Sequence, residues 1–136
     1  MANIIYSRFK ANLLNGECDL EADTIKVALM ATGHSASSAT GTAWASVSAN
    51  EITGTGYTTK GATLADGAVT EAATTKFDGT DTAWANASFS AYYAVLFDDT
   101  LVNGDLICSF DFGGAKTVSA GTFTIVWHTD GILTLA

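Results

Sequence analysis

Few side chains in this sequence are equipped for chemistry. The only histidines are His34 and His128. His34 sits in a Ser-rich stretch and His128 follows an alternating apolar run, two residues before Asp130. Serines are plentiful, but none stands in a Gly-x-Ser-x-Gly elbow or another nucleophile context. A strand-end histidine reads more simply as a polar tip or a contact residue, so the expectation is that the chain is not an enzyme. Gly54-Thr-Gly-Tyr-Thr-Thr-Lys-Gly61 has the look of a phosphate loop, but Thr59 stands where a dinucleotide fingerprint needs glycine. A P-loop needs Gly-Lys-Ser/Thr, and here Lys60 precedes Gly61. A tight turn is the better reading.

Asp98, Asp99, Asp105 and Asp111 crowd one region, but their spacing does not match the Asp-x-Asp-x-Asp-Gly calcium loop. They read best as acidic turn residues, with a weak structural cation left open. Cys18 and Cys108 stand far apart with no Cys-x-x-Cys spacing and read as free, small core residues, with pairing left open. No cofactor and no metal site is expected. The aromatics Trp44, Tyr57, Trp84, Phe89, Tyr92, Tyr93 and Trp127 would suit a sugar-binding face, but aromatics favour strands and pack cores equally well.

Composition fits a chain whose surface is used for packing, and fits a plain secreted domain as well. The 136 residues suggest one domain, large enough for one real core. Charged residues make up 15%, below the roughly 25% of an average soluble protein. The surface is therefore covered mostly by Thr, Ser, Ala, Gly and Asn. The net charge of −8 and the lack of a Lys/Arg cluster argue against nucleic acid and anionic membrane as partners. The opening MANIIYSRFKANLLNGE does not read as a signal peptide, because Arg8 and Lys10 break its apolar residues. No stretch approaches the length of a membrane-spanning helix.

The elements that must position these residues are mostly strands. Ile4, Ile5, Phe9, Leu13 and Leu14 recur at helical spacing, predicting a short helix over 3–14 that stops at Asn15-Gly16. Ile25, Val27 and Leu29 alternate with Thr24, Lys26 and Ala28, predicting a strand with one face in the core. Residues 32–50 read as a long loop anchored by Trp44 and Val47, of the kind often used for docking. A strand over 70–77 ends at Asp78-Gly79. In 88–97 both alternating sets are apolar, predicting a strand buried on both faces, in mid-sandwich or under a subunit interface. Asp98-Asp99-Thr100 with Asn103-Gly104 marks a turn, as does Gly113-Gly114. Asp130-Gly131 signals a hairpin into a closing strand over 132–135. Seven to nine short strands are expected. The fold class is all-β: a single-domain β-sandwich or jelly-roll-like barrel over 1–136 with one short N-terminal helix.

The order of these pieces carries a resemblance. Asp23-Thr-Ile-Lys-Val-Ala-Leu29 follows a helix, and Asn50-Glu-Ile-Thr-Gly-Thr-Gly-Tyr57 follows a loop. Asp81-Thr-Ala-Trp-Ala-Asn86 precedes Tyr93-Ala-Val-Leu-Phe97. Phe110-Asp-Phe-Gly113, Thr122-Phe-Thr-Ile-Val-Trp127 and Asp130-Gly-Ile-Leu133 complete the chain. This pattern resembles small structural proteins of tailed-bacteriophage virions and, among them, capsid decoration or cement proteins. It departs from decoration proteins that carry a long disordered N-terminal arm. The resemblance implies a non-enzymatic protein made in the host cytoplasm. It would sit on the head surface of the virion, bind the major capsid protein and copies of itself, and stabilise the shell. A tail, baseplate or head-fibre component fits the same features, and a carbohydrate-binding module is a further alternative. The expected interface residues are Trp44, Tyr57, Tyr92, Asp98 and Asp99.

Overall fold

The computed structural model describes residues 2–35 and 41–136. Eight strands form two antiparallel sheets. They are β1 (Ile4–Ile5), β2 (Ile25–Met30), β3 (Ala62–Thr63), β4 (Ala68–Thr70), β5 (Thr75–Asp78), β6 (Thr82–Asp98), β7 (Asp105–Ile125) and β8 (Leu133–Leu135). One sheet has the order β1-β7-β6-β2-β3 and the other β4-β5-β8. The fold is all-β and β-sandwich-like, with one α-helix among the described residues, α1 (Ser7–Asn15).

The helix is shorter than its periodicity predicts, because Ile4 and Ile5 pair with Ser109 and Cys108 as an edge strand instead. Two β-branched side chains on the sheet edge match strand propensity better than a helix start. α1 then buries Phe9 and Asn12 and ends where Gly16 turns left-handed, φ 69°. Its N–H bonds back to Leu13, and that of Glu17 bonds to Asn12, the double closure that glycine permits after a helix.

β2 is buried on both faces, not one. Ile25, Val27 and Leu29 join the larger core with Leu96, Ile107, Cys108 and Phe77. Ala28 and Met30 join a second core with Tyr6, Val95, Phe97 and Leu106. Short 3-10 turns at Trp44–Ser46 and Ser48–Asn50 bring Val47 into that second core, and Trp44 packs against it. The loop expected over 32–50 is therefore in part a cover for the sheet, although residues 36–40 lie outside the described ones. The two-sided apolar character of 93–97 is satisfied within the chain.

Two sequence boundaries dissolve. The segment expected to be one strand over 70–77 is a hairpin of β4 and β5, with Val69 opposite Phe77. Gly113-Gly114 is not a turn between strands but a bulge inside the 21-residue β7. Tyr93 faces Asp111 and Ala91 faces Lys116, so Tyr92 alone opposes the stretch 112–115. A bulge bends its strand. On either side of this bulge Phe112 lies 6.2 Å from Phe123 between ring centroids, and Phe110 lies 5.3 Å from Trp127, just beyond the end of β7. Asp130-Gly131 makes no hairpin between neighbouring strands either. It turns the chain from one sheet to the other, where β8 pairs with β5.

Candidate docking surface

The five expected interface residues do not form one patch. Trp44 lies over the second core, 4.6 Å from the Phe97 ring, with its backbone N–H on the Gly104 carbonyl. Tyr57 packs against the larger core, on the other face of the five-stranded sheet. It works as an internal latch: its phenol oxygen accepts the Leu29 N–H at 3.0 Å and its O–H donates to Glu51 Oε1 at 2.8 Å. The same Glu51 oxygen takes the Lys60 N–H. Burial pushes the Tyr57 phenol up, far from ionising at neutral pH. The turn behind this latch needs Gly61: its φ is 74°, and a Cβ there would strike the Val27 carbonyl. Tyr92 is half-buried opposite the β7 bulge.

Asp98 and Asp99 diverge. Asp99 is half-exposed and pairs with Lys60 at 3.1 Å and Lys26 at 3.7 Å. Asp98, expected at the surface, points inward and is 1% exposed. Strand alternation explains this: Asp98 shares its face with its partner Ile25, a core residue. Burial, and then the facing Asp23 carboxyl, push the Asp98 carboxyl up to about 6.

The residues considered for sugar stacking turn inward as well. Trp84, Phe89 and Trp127 are buried, and Trp44, Tyr57, Tyr92 and Tyr93 are half-buried. Trp84 and Trp127 are thus not available as an exposed platform. Trp127 is fixed by its indole N–H on the Thr80 carbonyl and its backbone N–H on Asp81.

One pairing escapes the sequence entirely. His34 Nε2 lies 3.0 Å from Ser109 Oγ. The pair is enclosed: Ser109 is 0% exposed and also bonds the Ala94 carbonyl, while the His34 ring meets Tyr93 edge-on at 5.2 Å. Burial lowers the His34 pKa, keeping the ring neutral. A nucleophile needs access to a substrate carbonyl, and this hydroxyl has none. The arrangement satisfies two buried polar groups on the covered face of the sheet. His128, by contrast, is exposed and makes a local contact with Asp130 at 3.3 Å.

The surface best arranged for a macromolecule is the outer edge of β7. β1 covers that edge only at Cys108 and Ser109. Among the described residues no strand pairs with it from 112 to 125. The run 117–125 reads TVSAGTFTI, without a charge. Unpaired strand edges carry rows of free N–H and C=O groups and are usually guarded by charge. Here the Gly113-Gly114 bulge and Lys116 guard one end only. Beside the edge runs a groove of 610 Å³ whose apolar wall is Phe110, Phe112, Phe123, Ile125, Val126 and Trp127, with Asn3, Asp111, Lys116 and His128 among its polar lining. Val126 is 74% exposed within it. No signal in the sequence separated this edge from an interior strand, since edge position depends on sheet order.

Known protein families, curated proteins and solved structures were each compared with the chain, and none matches it.

Proposed function

We propose that this chain is a non-enzymatic structural protein that docks on other proteins, and specifically a bacteriophage capsid decoration protein that binds the outer surface of the major capsid protein shell. The observation that carries the docking reading is the uncharged, unpaired edge of β7 beside its aromatic groove. A strand from a partner or from a second copy can extend such an edge by main-chain hydrogen bonds, with side chains entering the groove. The low charge of the rest of the surface supports packing against neighbours. The virion assignment rests on the resemblance in the order of sequence segments. A tail, baseplate or head-fibre protein would use the same surface. Heads assembled without the protein are expected to lose resistance to heat and osmotic shock, and heads of undiminished robustness would count against the decoration reading.

A further inference from the structure

Three side chains from two segments distant in the chain converge beneath the β6–β7 turn. Cys18 comes from the connection after α1, Asp23 from the turn before β2, and Asp98 from the end of β6. One ligand atom from each lies within 4.8 Å of the other two. Proximity alone would be unremarkable for acidic groups. What distinguishes this cluster is Asp98. Its Oδ1 accepts the Thr100 N–H at 3.0 Å, but its Oδ2 is buried and has no hydrogen-bond partner. An unsatisfied buried carboxylate oxygen is costly, and here it faces a thiol and a second carboxyl and no cation.

We propose that Cys18, Asp23 and Asp98 hold one divalent cation of the zinc class, bound by a thiolate sulfur and two carboxylate oxygens, with water in the fourth position. The donor set selects the metal. A thiolate favours zinc-like ions and disfavours magnesium and calcium, which take oxygen ligands. Cys18 and Asp23 are only half-buried, which leaves a side open for water. The supporting bonds that orient metal ligands are present too. The Asp19 N–H holds Asp23 Oδ2 at 2.9 Å, and the Thr100 N–H holds Asp98. A thiol must lose its proton to ligate a metal, so binding displaces protons and should weaken as pH falls. The bound ion would tie the α1–β2 connection to the β6–β7 turn.

The test is titration of the purified full chain, stripped with chelator, with cobalt(II) as a spectroscopic stand-in for zinc. The expected result is a saturable thiolate-to-cobalt charge-transfer band at one ion per chain, displaced by zinc and untouched by magnesium or calcium. Cys18→Ser should abolish the band, while Cys108→Ala, at the other and fully buried cysteine, should keep it. Outer-shell partners alone are worth about 10–100-fold in affinity, so Asp98→Asn, which removes a ligand atom, should weaken zinc binding by at least about tenfold. Asp98→Asn keeps the side-chain shape and removes a buried charge, so it should fold normally in chelator. Absence of a saturable band in the native chain would overturn the proposal, as would a band that survives Cys18→Ser.

Discussion

Asp98 and Asp105 stand directly opposite each other on β6 and β7, and only one of the two buried carboxylates is answered. Asp105 accepts the Asn12 side-chain N–H at 2.8 Å and has Arg8 at 3.7 Å, both from α1. Asp98 has one backbone N–H on Oδ1 and, on its other side, Cys18 and Asp23. The helix thus serves one of the two rim carboxylates and leaves the other to whatever occupies the space beneath the turn.

This asymmetry sets a pH dependence. The Asp98 carboxyl titrates near 6 when folded, against an ordinary value of 3.8. Between those values the folded state holds the extra proton, so stability from this group is full below about 4 and is lost as pH rises through 6. The titratable groups around Asp98 are Asp23 and Cys18, with Asp19 beside Cys18 and Asp105 opposite on β7. In chelator, Asp98→Asn should raise stability at pH 7.5 by roughly 2–3 kcal/mol and flatten the profile between pH 4 and 7. Urea unfolding across that range checks it.

The second carboxylate makes the opposite prediction. Asn12→Leu leaves the buried Asp105 without its amide donor and should destabilise the chain by about 1–3 kcal/mol at neutral pH. Asn12→Asp should do at least as much harm, by placing a second carboxylate there. Thermal unfolding of both variants measures the effect.

Tyr57 is predicted to matter for stability and not for docking. Tyr57→Phe removes the acceptor of the Leu29 N–H, and Leu29 is 0% exposed. A cost of about 1–3 kcal/mol is expected, with binding to any partner unchanged at temperatures where the variant is folded. A pull-down at low temperature alongside urea unfolding separates the two readouts.

Backbone strain gives a prediction of the other sign. Ala120 holds a left-handed φ of 48° on the exposed part of β7, with its N–H on Ser88 Oγ. Ala120→Gly relieves the Cβ crowding that alanine suffers there. It should leave stability unchanged or raise it by up to about 1 kcal/mol. Differential scanning calorimetry would show it.

Much of the fold was legible because alternation survives translation into strands. Ile25, Val27 and Leu29 announce β2, and the doubly apolar run ending at Phe97 announces the middle of a sheet. Gly113-Gly114 misleads because a glycine pair is the commonest sign of a turn, and only the register across to Ala91 and Tyr93 reveals a bulge. Ile4 and Ile5 fit a helical pattern and a strand edge equally well, and pairing with Cys108 and Ser109 decides. The meeting of Cys18 and Asp23 with Asp98, and of His34 with Ser109, was invisible, since only the sheet order brings those segments together. Asp98 beside Asp99 looked like a solvated acidic turn. Asp98, the last residue of β6, takes the core-facing side with Ile25, while Asp99, the first residue beyond the strand, pairs with Lys26 and Lys60 at the surface.

Docking on the phage head through the β7 edge, as proposed, is checked by co-sedimentation of the purified protein with separated heads and separated tails. Saturable binding to heads alone is expected. Thr122→Lys with Thr124→Lys, which places charge on two exposed positions of the edge, should reduce that binding by at least about tenfold while leaving the chain folded. Binding to tails alone would contradict the head assignment. Binding to neither particle, or binding indifferent to the two lysines, would contradict the docking edge itself.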